Sequence, residues 1–177
     1  MKLGLASDHR GFEAKKRLLP TLRKLGHEIE DFGCDSNASC DYPDFAAAAS
    51  RSVVAGKADA AILLDGTGIG MSMAANKICG VRAALAHDEI TARLAREHNH
   101  CNVLCIGSDL LSEDHLRQIV EIFLSTPFSG GRHLPRIEKV LKIEAEEAIK
   151  HARAIPASHP AHATHAPERR KVAAKDK

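Results

Sequence analysis

Five short apolar segments, separated by longer amphipathic stretches, constrain the fold of this chain more than any other feature of its sequence. The apolar segments predict strands at residues 2–7, 27–32, 59–64, 81–86 and 102–106. The stretches between and after them predict helices at about residues 11–25, 43–55, 71–78, 88–97, 112–124 and 134–152. Apolar strands that alternate with helices are typical of parallel sheets covered on both faces. The sequence therefore predicts a single-domain, three-layer α/β/α fold with a five-stranded, parallel, doubly wound (Rossmann-like) sheet.

Composition limits how the core is built and where the protein works. The 177 residues include no Trp, one Tyr and five Phe, so the core must come from Ala, Leu, Ile and Val. No apolar run approaches the ~20 residues of a membrane span, and no secretory signal is evident. Five cysteines, an odd number, indicate free thiols in a reducing compartment. We therefore expect a cytoplasmic protein that does not bind a membrane.

The chain divides by composition into a domain at residues 1–151 and a tail at residues 152–177. The tail is rich in Ala, Pro and His and carries six basic side chains against two acidic ones. Its prolines oppose a helix, which predicts a disordered segment. The tail therefore contributes a net charge of +4 to a chain whose total net charge is +2, so residues 1–151 carry about −2. A mildly acidic domain shows no electrostatic footprint for nucleic acid. A tail that contacts RNA or a protein partner is the alternative.

A glycine-rich segment follows the third predicted strand. Asp65 stands where the strand ends, and Gly66, Gly68 and Gly70 fall within the next five residues, before the third predicted helix. Glycines allow backbone N–H groups to turn toward a small anion, and the helix N-terminus adds partial positive charge. A carboxylate that faces such N–H groups is suited to general base catalysis. The segment therefore predicts chemistry on a small anionic substrate.

Two known phosphate-binding motifs do not fit this segment. A dinucleotide-binding fingerprint requires its third glycine at the position of Met71. A Walker loop requires Gly-Lys-Ser/Thr, whereas Lys77 comes too late and precedes Ile78. A glycine-rich turn that only permits close packing of strand and helix is the remaining alternative.

Polar residues flank several of the other predicted strands. Asp8, His9 and Arg10 follow the first strand, His87 and Asp88 follow the fourth, Gly107 and Ser108 follow the fifth, and His98, Asn99 and His100 come just before the fifth. In doubly wound folds, ligands bind outside the carboxyl ends of the strands. We therefore expect these residues to collect with Asp65 at one edge of the sheet and to form an active site.

Several motifs, in order along residues 1 to about 148, resemble one family. They are Asp8-His9-Arg10-Gly11, Asp41-Tyr42-Pro43, Gly66-Thr67-Gly68-Ile69-Gly70 with Ala74-Ala75-Asn76-Lys77, Val81-Arg82-Ala83, Glu97-His98-Asn99 with Asn102-Val103, and Gly131-Arg132-His133 with Arg136. This set is similar to that of the B-type ribose-5-phosphate isomerases, which include galactose-6-phosphate and allose-6-phosphate isomerase subunits. The resemblance implies a sugar-phosphate aldose–ketose isomerase and a homodimer, or a dimer of dimers, with shared active sites.

The chain departs from this family at the catalytic base. Many members carry a catalytic Cys at the position of Asp65, and another branch uses a Glu at the position of Met71 together with Gly at the Cys position. Asp65 is the only proton acceptor at either place, so we predict that it transfers the proton between C2 and C1 of the substrate. The alternatives are an acid that caps the third helix, or a protein that has lost catalysis.

The resemblance implies roles for the other residues of the motifs. His98 is expected to help open the sugar ring, because a His pKa suits proton transfer. Asp8, Tyr42, Asn99 and the backbone amides of residues 66–70 (Gly66, Thr67, Gly68, Ile69 and Gly70) are expected to bind the sugar and the enediolate oxygen. His9, Arg132 and Arg136 are expected to bind the phosphate, and the two arginines can serve the neighbouring subunit.

No metal or cofactor is expected. Cys101 and Cys105, with His98 and His100 nearby, are potential zinc ligands, but a strand would hold the two thiols about 13 Å apart. Enediolate chemistry needs neither a metal nor a cofactor. The sequence thus predicts a metal-independent isomerase, most simply of ribose 5-phosphate and ribulose 5-phosphate. An isomerase of another four- to six-carbon sugar phosphate and a non-catalytic sugar-phosphate-binding protein are the alternatives.

Overall fold

The computed structural model describes residues 1–154 and confirms the predicted three-layer α/β/α architecture. In chain order, the elements are β1 (Lys2–Ser7), α1 (Phe12–Lys24), β2 (Glu28–Asp31), α2 (Tyr42–Val54), β3 (Ala60–Asp65), α3 (Ile69–Ala75), β4 (Ala83–Leu85), α4 (Glu89–Glu97), β5 (Val103–Gly107), α5 (Glu113–Ser125) and α6 (Leu134–Ala154). A 3-10 turn at Gly131–His133 precedes α6. The helix α6 continues to Ala154, and the rest of the predicted tail lies outside the described residues.

The five strands form one parallel sheet in the order β2-β1-β3-β5-β4. The chain moves outward from β1 to β2 and then crosses to β3 on the other side of β1. The strand order therefore reverses between β1 and β3, and a crevice opens outside the carboxyl ends of these two strands. Ser7 is the last residue of β1, and Asp65 is the last residue of β3.

Alternate residues of each strand face two different apolar layers. One layer includes Leu3, Leu5, Ile62 and Leu104 of the strands, together with buried side chains of α1, α4 and α5. The other includes Ala6, Leu63 and Cys105, together with alanines of α2 and Met71 of α3. Because β3 is buried on both faces, all six of its residues are buried, and the strand reads as a continuous apolar run ending in Asp65.

Local sequence signals fix where several helices begin. Asp88 and Thr91 form a capping box at the start of α4, in which the Asp88 side chain accepts the Thr91 N–H at 2.7 Å. The Ser112 side chain accepts the N–H of His115 at the start of α5. No helix within residues 1–154 combines the length and apolar character that a membrane span requires.

Candidate active site

Two buried carboxylates flank the crevice between β1 and β3. Asp8 follows β1 and is 6% exposed, and Asp65 ends β3 and is 5% exposed. The Asp8 N–H donates to the carbonyl of Leu64 at 3.0 Å, which joins the ends of the two strands. The Asp8 Oδ1 atom accepts the N–H groups of Arg10 and Gly11, both at 2.9 Å. The fold therefore brings the first and third strand ends into one polar site, as the sequence predicted.

The Asp65 carboxylate binds the backbone of the glycine loop, residues 66–70. Its Oδ1 atom accepts the N–H of Thr67 at 2.8 Å and also the N–H of Gly68, and its Oδ2 atom accepts the N–H of Met71 at 3.0 Å. These donors lie at the N-terminus of α3, where backbone N–H groups lack helical acceptors. The carboxylate thus occupies a helix N-terminus, which is the capping arrangement that the sequence left open as an alternative.

Only some of the loop amides that the sequence assigned to the substrate are free to bind it. The N–H groups of Thr67 and Gly68 bind Asp65, and the N–H of Ile69 faces the Thr67 hydroxyl at 3.3 Å. Within residues 1–154, the N–H groups of Gly66 and Gly70 make no hydrogen bond. Gly68 has a φ of +79°, a left-handed conformation that glycine adopts without strain. Two loop amides therefore remain available to an anionic oxygen beside the Asp65 carboxylate.

Tyr42 packs on the same loop, and His9 contacts the segment that leads to Tyr42. The His9 Nδ1 atom lies 3.3 Å from the carbonyl oxygen of Cys40 and 3.4 Å from its backbone nitrogen. The Tyr42 ring packs over Gly70, where an added Cβ would lie 2.9 Å from its Cζ. Burial, together with contact with Cys34, raises the pKa of the Cys40 thiol to about 11. Cys40 is therefore protonated at neutral pH and is not a resting base beside His9.

The remaining predicted residues lie at the opposite edge of the sheet. The helix α4 begins after the carboxyl end of β4 and runs back, so His98 and Asn99 come at the amino edge, just before β5. The His98 ring stacks on His133, with ring centroids 4.2 Å apart and an angle of 10° between the planes. Burial, and then the charges of His98 and Arg132, lower the pKa of His133.

The prediction that one edge of a single chain collects all these residues is therefore wrong for His98, Asn99 and His100. In a parallel sheet with helical crossovers, a residue that follows a strand and a residue that precedes one lie at opposite edges. Arg132 and Arg136 belong with His98, because both contribute to the electrostatic environment of the stacked His133. Asp65 and His98 of the same chain are thus separated by the length of the sheet.

An apolar groove lies beside this second cluster. Its volume is about 460 Å³, and its lining includes Ala83, Leu94, Asn99, Ile137 and Val140. Apolar side chains of α6 remain exposed next to it, with exposed fractions of 48% for Leu134, 52% for Val140 and 60% for Ile143. Scattered exposed apolar side chains are normal, but a row of them along one helix beside a groove is typical of an interaction surface.

An ion pair at the carboxyl edge joins Arg10, which the sequence placed at this edge, to Asp109, to which the sequence interpretation gave no role. The Arg10 Nε atom donates to Asp109 Oδ2 at 2.8 Å, and Arg10 Nη2 contacts the same oxygen. Arg10 follows the buried strand β1, and Asp109 follows the buried strand β5. Their positions after parallel strands were the only signal in the sequence that could have predicted their proximity. Neither a spacing nor a motif links residues so far apart in the chain.

The cysteines that were considered as zinc ligands are buried thiols. Burial raises the pKa of Cys101 to about 11, and burial also raises the pKa of Cys105 well above its ordinary value. Within residues 1–154, no group of three or more His, Cys, Asp or Glu side chains is arranged to hold a metal ion.

Comparison with known proteins gives a consistent result. Residues 3–140 match the sequence model of the family described as Ribose/Galactose Isomerase. A Bacillus subtilis protein is 44% identical over 145 residues, covering 81% of this chain and 97% of that protein. Its name describes it as a sugar phosphate isomerase and specifies no substrate.

Two solved structures share both sequence and fold. Ribose-5-phosphate isomerase B of Clostridium thermocellum superposes with a TM-score of 0.82 at 41% identity, covering 83% of this chain and 99% of that one. The Mycoplasma genitalium ribose-5-phosphate isomerase B with bound ribulose 5-phosphate superposes with a TM-score of 0.78 at 41% identity, covering 82% and 97% of the two chains.

Proposed function

This chain belongs to the ribose/galactose isomerase family and is a sugar phosphate isomerase of that family, and we propose that it interconverts ribose 5-phosphate and ribulose 5-phosphate. The observation that carries the proposal is the Asp65 carboxylate at the strand-order reversal, beside the unoccupied N–H groups of Gly66 and Gly70. A base next to two anion-binding amides is what formation of an enediolate requires.

The proposed reaction moves one proton between neighbouring carbons. Asp65 removes the proton from C2 of the open-chain aldose, and the charge that develops on the carbonyl oxygen is stabilised by the free loop amides. A proton passes from the C2 hydroxyl to the C1 oxygen of the enediolate, and the protonated Asp65 returns its own proton to C1, which yields the ketose with its carbonyl at C2. The Asp8 Oδ2 atom accepts neither of the two backbone amides that bind Oδ1, and in this proposal it binds a sugar hydroxyl.

A second copy of the chain supplies the remaining groups in this proposal. Four residues with proposed roles lie at the amino edge, so they reach the site only from a partner. They are His98 for ring opening, Asn99 for the sugar, and Arg132 and Arg136 for the phosphate. His9, which belongs to the same chain as Asp65, also binds the phosphate. The apolar groove and the exposed apolar side chains of α6 support dimerisation, because they adjoin the cluster that has to meet the partner.

The substrate is assigned from relatives. The Mycoplasma genitalium structure carries the bound ketose, ribulose 5-phosphate, and its similarity supports a five-carbon substrate. The replacement of the usual Cys by Asp65 keeps a four- or six-carbon sugar phosphate as the second candidate. Enediolate chemistry at a carboxylate requires no metal, so turnover is expected to survive chelation by EDTA.

The test uses the full chain with a panel of four- to six-carbon aldose and ketose phosphates. Turnover and exchange of the C2 proton with deuterated solvent are followed by NMR. We expect the highest kcat/KM with ribose 5-phosphate, together with C2 exchange. A higher value for another sugar phosphate would reassign the substrate. Tight binding without exchange would indicate a non-catalytic sugar-phosphate-binding protein and would overturn the proposal.

A further inference from the structure

Two cysteines meet beside the candidate active site. Cys34 and Cys40 lie in the connection between β2 and α2, and their thiols are in contact. The backbone also brings them together, because the Cys34 N–H donates to the carbonyl of Ser7 at 2.7 Å and the Cys40 backbone contacts His9. Both cysteines are thus held against the same short segment at the end of β1, and neither has a role in the proposed reaction. We refer to Cys34 and Cys40 as the thiol pair.

The chain between the two cysteines is able to adjust its shape. It has no regular secondary structure, and residues 35–39 are all exposed. Among the described residues, neither apolar layer includes the thiol pair, so a small movement there leaves the core packing unchanged. A disulfide holds its sulfur atoms about 2 Å apart, which is closer than two thiols in contact. Formation of a bond would therefore draw the two cysteines together.

Cys40 is held less firmly than Cys34. The Cys34 carbonyl accepts the Lys15 ammonium group at 2.8 Å, in addition to the N–H bond to Ser7. Within residues 1–154, the backbone of Cys40 has one hydrogen-bonding partner, His9 Nδ1, which lies 3.3 Å from its carbonyl oxygen and 3.4 Å from its nitrogen. A ring nitrogen either donates or accepts, so it serves only one of these groups at a time. Bond formation would therefore move Cys40 and alter its contact with His9.

We propose that the thiol pair is a redox-sensitive site, which forms a reversible disulfide by exchange with a small disulfide such as oxidised glutathione, draws Cys40 away from His9 and so weakens the binding of a sugar phosphate. The first two parts of this inference depend only on the thiol pair and its contacts. The third part rests on the proposed function, because it takes His9 to bind the phosphate.

The exchange consists of two balanced steps. Cys40 is half-buried and Cys34 is buried, so the Cys40 thiolate attacks one sulfur of oxidised glutathione, forms a mixed disulfide and releases the first glutathione thiolate. The Cys34 thiolate then attacks the Cys40 sulfur and releases the second. Each cysteine gives its proton to solvent and each released glutathione takes one up, so two protein thiols are oxidised and one oxidised glutathione is reduced. Because burial raises the pKa of the Cys40 thiol to about 11, its thiolate is scarce at neutral pH and the exchange is expected to be slow.

Peptide mapping tests whether the disulfide forms. Full-length protein is incubated with oxidised glutathione, alkylated and digested with trypsin, which releases both cysteines in one peptide, residues 25–51, that contains no other cysteine. The wild-type peptide should be unalkylated and lighter by two hydrogen atoms, and dithiothreitol should restore both alkylation sites. Cys34→Ser should instead retain one glutathione on Cys40, because the second thiol is missing. A wild-type peptide that remains alkylated at both cysteines would overturn the proposal.

Binding and NMR measurements test the consequence for the site. Calorimetry gives the dissociation constant of ribitol 5-phosphate, which lacks a carbonyl group and cannot isomerise, before and after oxidation. We expect oxidation to weaken binding by about 10- to 100-fold, the effect of losing one charge-assisted hydrogen bond. The ring signals of His9, assigned with His9→Gln, should shift at the same time. Unchanged affinity or unchanged His9 signals in fully oxidised wild type would overturn the proposal.

Cys40→Ser and Cys79→Ser are the matched controls. Cys79 is exposed and lies outside the thiol pair, so Cys79→Ser should respond to oxidation as the wild type does. Cys40→Ser should have the same dissociation constant before and after oxidation, and a loss of affinity that persists in this variant would contradict the proposal. Reduced wild type that binds no ribitol 5-phosphate would contradict the proposed function and the third part of the inference. The peptide map and the His9 signals would still decide the first two parts.

Discussion

Asp65 combines a structural contact with its proposed catalytic role. A carboxylate offers about four lone-pair sites for hydrogen bonds, and three backbone N–H groups occupy three of them. One site on Oδ2 therefore remains for a substrate proton. Replacing Asp65 by Asn would remove the base, but it would also turn an NH₂ group toward the loop amides, so that substitution alone does not separate the two roles.

The pair of variants Asp65→Cys and Asp65→Ser separates the structural role of Asp65 from its proposed catalytic role. Both side chains are small, and neither can accept all three amide hydrogen bonds, so the structural loss is similar in the two variants. Only the thiol can ionise to act as a base near neutral pH. We expect Asp65→Cys to exchange the C2 proton at least about tenfold faster than Asp65→Ser, since a positioned base contributes about 10²- to 10⁴-fold.

Exchange is measured by NMR, and melting temperatures of both variants verify that the loop loses the same contacts. Exchange near the wild-type rate in both variants would remove Asp65 from the role of base, whereas equal and low rates would contradict only the rescue by the thiol. The family assignment would stand in that case, because it depends on the whole of residues 3–140.

At the scale of elements, a buried lysine connects α1 to the chain between β2 and α2. Lys15 is 2% exposed, and its ammonium group donates to Asp31 Oδ1 at 2.6 Å and to the carbonyl of Cys34 at 2.8 Å. A buried ammonium group without acceptors would be costly, so these contacts decide its position. The same connection continues to Cys40, which contacts His9.

Lys15→Met should lower the free energy of unfolding by about 1–3 kcal/mol, because it leaves Asp31 and the Cys34 carbonyl without their charged donor. The expected decrease in melting temperature is about 2–4 °C for each kcal/mol in a chain of this size. The adjacent Lys16 is exposed on the same helix, so Lys16→Met is the matched control and should leave the melting temperature unchanged. A similar decrease in both variants would show that the Lys15 contacts do not stabilise the fold.

The bounds of two elements differ from the sequence prediction for identifiable reasons. The predicted strand at 81–86 shortens to Ala83–Leu85, since β4 is an edge strand that pairs only with β5. The Asn76 side chain pairs with the backbone N–H and carbonyl of Ala83 at 2.9 Å each, where a further strand would otherwise bond. The predicted helix at 71–78 begins earlier, at Ile69, because the Asp65 side chain satisfies its first donors.

For the whole molecule, the separation of Asp65 from His98 makes subunit complementation the informative experiment. If each site combines Asp65 of one chain with His98 of its partner, Asp65→Ser and His98→Ala should each be impaired as pure dimers. Random mixed dimers from equal amounts contain one intact site in half of the molecules, so about a quarter of wild-type turnover is expected on co-expression.

The control combines Asp65→Ser with Asp8→Ala, two substitutions at the same edge of the sheet. Mixed dimers of this pair contain no intact site, because Asp65 and Asp8 of one site come from the same chain. Turnover should therefore stay at the average of the two parent variants. Absence of recovery with His98→Ala, despite mixed dimers detected by mass spectrometry, would contradict a site shared between subunits.

The sequence by itself determined the fold class, the family and the position of Asp65. Periodic burial and strand–helix alternation depend on local spacing, so the residues themselves carry that information. The prediction that residues after a parallel strand share one edge was correct for Asp8, His9 and Asp65 for the same reason.

Only the tertiary structure decided which groups those residues meet. It placed His98 and Asn99 at the far edge, paired Arg10 with Asp109 across β3, and gave three amides of the loop region to Asp65 rather than to open solvent. Each of these outcomes depends on strand order and on contacts between distant parts of the chain. Local spacing carries no record of such contacts, because the order in which strands pair is set by how whole layers pack.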